Sequence, residues 1–301
     1  MKEKQLTINQ ADVSEKQLLK EMPEIFDILL IDRTTSTTRK NKNIIWGNDE
    51  YAKYGERYYS SHCEMFKDLL FNNGQEIIKP RSVKSMEIQK ERTKQNAEVF
   101  TPTWLVKKQN DEVDASYQSD DLETYVSRRW LEITCGEAPY IASRYDTITG
   151  EFLSLKDRVG FLDRKLRRIN SEVEDKAEWQ RLIEEAYKAS YGFEWNGDSL
   201  LLARENLLYT YYDYYYDKWN DFPTYGLVKK IAEIISYNIF QMDGLKYIIP
   251  LSEKKEQLQQ VQLSLFDDEL PEEVWITHPG KRVKIMNWQK NRMEYFDEAV
   301  Q

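Results

Sequence analysis

Two acidic residues, Glu132 and Glu194, each stand at or near the end of a short apolar run, where a carboxylate can meet a polar ligand. Around the first the chain reads Trp130-Leu131-Glu132-Ile133, then the small turn Thr134-Cys135-Gly136, then Glu137-Ala138-Pro139-Tyr140. A buried strand, a glycine turn and a following helix is how open α/β sheets build a nucleotide pocket. Glycine lets backbone approach the ligand, and the helix N-terminus aims amides at it. Around the second the chain reads Gly192-Phe193-Glu194, and an apolar helical pattern follows in Leu200, Leu201, Ala203, Leu207 and Leu208. A carboxylate at the C-terminal end of a strand can accept both hydroxyls of a ribose.

The elements that must position these acids are bounded by composition. A chain of 301 residues with 41% hydrophobic residues can bury a core of one large or two small domains. The formal net charge of −9 argues against protein-wide attraction to nucleic acid, so any DNA contact must come from local patches. The two cysteines, Cys63 and Cys135, give no CxxC pair, which excludes a disulfide framework and fits a reducing, cytoplasmic setting. The polar start shows no signal peptide, and no long uncharged apolar run spans a membrane. His62 beside Cys63 is not expected to hold a metal, since the chain has only 2 His.

Residues 1–78 read as a small α+β region. Phe26 to Asp32 (FDILLID) is the strand candidate, Asn43 to Gly47 its hairpin partner, and Ser60 or Ser61 a helix start. Residues 79–250 form the main domain. Its basic opening, Lys79 to Lys108, reads as a solvated helix face or a phosphate contact. Thr101 precedes Pro102 and is pushed out of helical geometry, and Thr103 is expected to cap a helix whose apolar face begins Trp104, Leu105.

Phe100-Thr101-Pro102, followed some thirty residues on by the strand–glycine turn, resembles the gamma-ordered DNA amino-methyltransferases that modify adenine. In that family the Phe-Thr-Pro turn comes first and folds over S-adenosylmethionine. The family's first strand loop reads Asp-Pro-Ala-Cys-Gly-Ser-Gly; here the aligned acid, Cys and first Gly are Glu132, Cys135 and Gly136, and the second Gly is Ala138. The resemblance implies a ribose-binding role for Glu194 with Trp195 beside it. It also implies that Asp243, in the end, Gln241 to Leu245, of a strand from Ser236, bonds the cofactor's adenine amino group, with Phe240 or Leu245 flanking the ring and Gly244 in the same cofactor set. Thr134 completes the implied cofactor set. The implied fold is a truncated doubly wound, Rossmann-like methyltransferase α/β sheet.

Between the first two strands, residues 144–190 read as a helical hairpin. Leu155 to Ile169 carries six basic residues and two Asp, for DNA, for a partner or as a solvated face; Trp179, Leu182, Ile183 and Ala186 mark its second helix. The tyrosine-rich run Tyr209 to Trp219 reads as core and interface rather than a base-stacking stripe. Residues 251–273 read as a flexible linker. In it Gln262-Leu263-Ser264-Leu265-Phe266 matches the peptide by which bacterial replication and repair proteins bind the sliding clamp, two apolar anchors with a hydrogen-bonding Gln.

Residues 274–301 carry a strand candidate, Arg282 to Trp288. In the family the fourth strand ends in Asn-Pro-Pro-Tyr or Asp-Pro-Pro-Tyr, which holds a flipped base. Here it ends Asn287-Trp288-Gln289-Lys290, so Asn287 and Trp288 are the catalytic candidates and the prolines are absent. Three readings follow: a methyltransferase-like protein acting on adenine in DNA, completed by a second subunit; an inactive relative serving as a DNA- or clamp-binding module; or an acidic phage counter-defence protein that mimics DNA.

Overall fold

The computed structural model describes residues 21–84, 90, 93–94, 101–257 and 275–299. The expected N-terminal strand is a helix. Helix α1, Pro23–Leu30, starts on a proline whose missing N–H costs nothing there, and Ile25, Phe26, Ile28, Leu29 and Leu30 are buried. A short apolar run fits a strand or a helix equally well; packing against other helices decides here. The anticipated hairpin shrinks to single bridges, Ile31 with Asn43 and Ile45 with Glu64. Helix α2, Glu56–Tyr59, ends at Ser60, where a helix start was expected. Strands β1, Phe71–Asn72, and β2, Gln75–Glu76, form a small antiparallel pair.

Helix α3, Thr103–Asp114, begins where expected, but its cap comes from elsewhere: the Thr103 N–H donates to the Asp146 carboxylate at 2.9 Å. Trp104 is 67% exposed, so the apolar face does not begin there; Val106, Asn110 and Asp114 are the residues buried. Helix α4, Leu122–Ser127, is capped by Asp121, which accepts from Thr124 N–H at 3.0 Å.

Three parallel strands make the central sheet: β3, Trp130–Ile133, then, after a helical hairpin, β4, Ser190–Glu194, and finally β5, Ile239–Gln241. The hairpin is α5, Phe161–Glu172, and α6, Lys176–Lys188, as its periodicity predicts. Helices α7, Gly197–Trp219, and α8, Tyr225–Asn238, connect β4 to β5, so Ser236 to Asn238 are helical rather than strand. The spatial order β3-β4-β5 leaves β3 at an edge.

Alternation along the strands sorts the two faces. Phe193, Phe240 and Leu131 point to one side, where Met242, Val283, Ile285 and Phe296 cover them. Ile239 belongs to the opposite, helical side with Leu200, Leu201, Ala232 and Ile235. The tyrosine run is mostly core, as expected: Tyr209, Tyr211, Tyr212, Tyr214 and Tyr215 are buried, while Tyr216 is exposed.

The basic residues of the insertion divide: Lys156 and Arg167 are exposed, as a solvated face would have them, while others are held inside. Arg144 and Arg158, each buried, share the Asp213 carboxylate at 3.0 and 2.5 Å. Arg164 pairs with Asp111 at 2.6 Å and Asp114 at 3.1 Å. Lys165 is fully buried and donates to the Arg128 carbonyl at 2.5 Å. Their positions follow from tertiary packing, which charge patterning cannot register.

Strands β6, Lys254–Gln257, and β7, Trp275–His278, form an antiparallel ribbon; β8, Lys284–Asn287, and β9, Arg292–Tyr295, form a second, and the short helix α9, Phe296–Ala299, follows. The expected fourth strand therefore joins its own hairpin instead of the central sheet. Among the described residues, no helix is long and apolar enough to cross a membrane.

Candidate functional site

The strand β3 tip and its turn open onto a cavity of about 880 Å³. Its lining includes Thr101, Glu132, Thr134, Gly136 and Glu194, brought together from three separate stretches of chain. This is the C-terminal end of a parallel sheet, where open α/β sheets bind ligands.

Both acids work on the backbone around the turn. Glu132 accepts from the N–H groups of Tyr140 at 3.2 Å and Ile141 at 3.0 Å, which fixes the chain leaving the turn. Glu194 reaches across from β4: one oxygen accepts the Gly136 N–H at 3.0 Å, and the other accepts from Trp195 at 2.9 Å and Asn196 at 3.1 Å. Burial pushes the Glu132 carboxyl well above the usual carboxylate range and the charge of Glu194 adds to it, while the two amides pull it back. The Cys135 thiol is raised as well, first by burial and then by Glu132 and Glu194, so it is not a poised nucleophile.

Gly136 has φ +53° and Ala138 φ +62°, both left-handed. Ala138 is fully buried and does not line the cavity, so its methyl group leaves the cavity's volume intact. Ala138→Gly should change stability by less than about 1 kcal/mol, because relief of left-handed strain offsets loss of a buried methyl. Ala138→Val should cost about 3 kcal/mol through a β-branched residue at positive φ in a filled site. Urea unfolding of the two variants checks the contrast.

The remaining implied cofactor residues scatter. Pro102 precedes α3 beside Thr101, and Phe100 lies outside the described residues. Trp195 donates its indole N–H to the Gly47 carbonyl at 2.7 Å, towards the N-terminal region. Asp243 is not among the lining residues; its carboxylate accepts the N–H groups of Leu245 at 2.9 Å and Lys246 at 3.2 Å, closing its own turn. Gly244 lies against the Phe193 ring, which a Cβ would approach to 2.5 Å, and Leu245 is 94% exposed.

A feature missed in the sequence explains part of this. Buried Gln241 accepts the Ile45 N–H at 2.7 Å and donates to the carbonyls of Ile45 and Trp195, both at 2.9 Å. The N-terminal segment Asn43 to Gly47 thus lies across the tips of β4 and β5. The only sequence signal was a polar residue closing an apolar strand. Gln109, Asn110 and Tyr140 also line the cavity, and the Tyr140 hydroxyl bonds the Gln109 side chain.

Asn287 and Trp288 line a second cavity of about 290 Å³, together with Arg129, Leu131 and Met286. Asn287 donates to Glu294 at 2.8 Å and accepts from Lys290 N–H at 3.0 Å; Trp288 donates to Asn238 at 2.8 Å. Trp130 and Leu131 line both cavities, so the edge strand stands between them. Residues 262–266 lie outside the described residues. The flanking ribbon pairs Gln257 with Trp275. Comparison with known protein families, with curated proteins and with solved structures returns no match.

Proposed function

We propose that the strand-tip cavity takes S-adenosylmethionine and that this chain is a DNA adenine methyltransferase-like protein, with the groups that hold the target base supplied by a second subunit. The convergence of Thr101, Gly136 and Glu194 on one cavity carries this reading. The fit is chemical as well as spatial: the cavity has the volume of a nucleoside-sized ligand site. The Glu194 oxygen that takes the Gly136 N–H has a second lone pair that can accept a ribose hydroxyl, and the glycine turn lets backbone approach. When bound, the cofactor supplies an electrophilic methyl group; the chain's part is to orient it and to exclude water.

Calorimetry with S-adenosylmethionine should show binding by the wild type, and Glu194→Gln, which keeps the shape and removes the charge, should weaken it by about ten- to a hundredfold. A wild type that takes up no heat in this titration ends the proposal.

A second reading is favoured by the placement of Asn287 and Trp288 on the other cavity, away from Glu194. It is a binding module that holds the cofactor without transferring its methyl group. Labelled cofactor incubated with adenine-containing DNA separates the two, since label in the DNA excludes the inactive relative.

Recruitment to the bacterial sliding clamp through Gln262, Leu263, Ser264, Leu265 and Phe266 belongs to the same proposal. Two apolar anchors and a hydrogen-bonding Gln in a charged stretch support it. Phe266→Ala should lower affinity for purified clamp at least about tenfold, as loss of a buried aromatic anchor does; an unchanged affinity removes the clamp from the account.

A further inference from the structure

The geometry points to the free edge of β3 as a docking site for an extended segment of a partner polypeptide, one that alternates an acidic and an apolar side chain on one face. This docking site does not rest on the methyl-donor reading: it is built on the strand's outer edge and the space to either side of it, and it is tested without cofactor.

The Trp130 N–H donates to the Ala189 carbonyl at 2.9 Å, so the backbone of Trp130 faces β4. Successive residues of a strand alternate in this respect, so the N–H and C=O groups of Leu131 and Ile133 face outward. Among the described residues no strand pairs with them, and β3 is the last strand on that side. Ile133 is 71% exposed there. Unpaired edges of this kind are templates for strand addition, and natural folds usually blunt them with charge or proline. Trp130 to Ile133 carries neither at its outward positions, Leu131 and Ile133.

The two cavities identify the occupant. They lie to either side of the edge strand and share Trp130 and Leu131. A strand added along β3 sends alternate side chains into one and then the other, which an extended peptide does and a helix cannot. On the side of the smaller cavity, Arg129 precedes Leu131 by two residues, and Ile285, Met286, Trp288 and Phe296 form the apolar lining. Arg129 is exposed and forms no ion pair with the described residues. An incoming strand therefore meets a cation and, two positions along, an apolar socket. A second copy of this chain fits poorly, because two chains of net charge −9 repel.

The test uses the full chain without cofactor and two fluorescein-labelled hexapeptides, Thr-Asp-Thr-Leu-Thr-Val and its control Thr-Asp-Leu-Thr-Thr-Val, in which Asp and Leu fall on opposite faces. Fluorescence anisotropy should show the first binding at least about tenfold more tightly than the control. Ile133→Pro removes only an outward N–H, which edge strands tolerate, so it should abolish binding while the melting temperature stays close to that of the wild type. Arg129→Glu should weaken binding by about tenfold or more, as loss of a charge-assisted contact does. Hydrogen exchange should slow at the Leu131 and Ile133 amides when peptide is present. The proposal is overturned by equal binding of the two peptides, by no binding of either, or by binding that survives both substitutions. It is overturned equally by a dimer in sedimentation that Ile133→Pro dissolves, which assigns the edge to a second copy.

Discussion

Asp213→Ala is expected to destabilise the fold by about 3–5 kcal/mol, the usual cost of leaving buried charge without its partner. Asp213 lies on α7 and is the carboxylate that Arg144 and Arg158 share, with the Arg side chains 1% and the Asp side chain 4% exposed. Phe152 covers both guanidinium groups, at 5.8 Å and 5.4 Å, and Tyr209 lies 5.2 Å from that of Arg144. Removing Asp213 leaves two buried cations without the carboxylate they share. The network is also imperfectly satisfied. One nitrogen of each Arg and the second oxygen of Asp213 have no hydrogen-bond partner among the described residues. Replacing all three at once, Arg144→Met, Arg158→Met and Asp213→Leu, should therefore recover most of the loss. Guanidinium unfolding of the single and triple variants measures both. A single variant as stable as the wild type means that the two arginines are solvated.

Stability is expected to rise with pH between about 7 and 10 because of Lys165. Its ammonium group is fully buried, and burial lowers its pKa from 10.5 to about 7. In the unfolded chain the group keeps its ordinary value. Between the two values the unfolded chain carries a proton that the folded chain has released. Raising the pH through this window therefore favours the folded state, by roughly 1.4 kcal/mol per unit. Below pH 7 both states are protonated, and the full penalty of a buried charge is present. Lys165→Met lacks this group, so the stability of the wild type relative to the variant should climb across the window and level off below it. Taking the difference removes the self-repulsion that an acidic chain gains at high pH. Parallel stability curves for the two proteins would show that water reaches Lys165.

How much of this was legible beforehand depends on the distance over which each feature is decided. The strand and glycine turn over Trp130 to Gly136, the strand ending in Glu194 and the helix after it were read correctly because strand, turn and helix signals are local. The helix expected directly after Gly136 does not form, and turns occupy Thr134 to Ile141 instead. The α5–α6 hairpin was found for the same reason. Phe26 to Asp32 was read as a strand and forms a helix over Pro23–Leu30. Its apolar residues satisfy either period, and contact with α8 and α7 settled the matter. Asp243 was placed by resemblance, and its carboxylate is engaged in a turn with Leu245 and Lys246. Charge patterning offered DNA or solvent for the cations around α5, and neither describes buried Arg144, Arg158 and Lys165.

The sequence by itself determined the three strand stretches ending near Ile133, Glu194 and Gln241, and the acids Glu132 and Glu194 near the ends of the first two, since hydrophobic period and turn chemistry act within a few residues. Only the tertiary structure decided that the Asn43 to Gly47 segment lies over the tips of β4 and β5, that the Asn287–Trp288 end turns back into its own hairpin, and that β3 is left as an edge between two cavities. Those outcomes depend on which distant surfaces meet and how their volumes and buried charges match, quantities that no local window of residues contains.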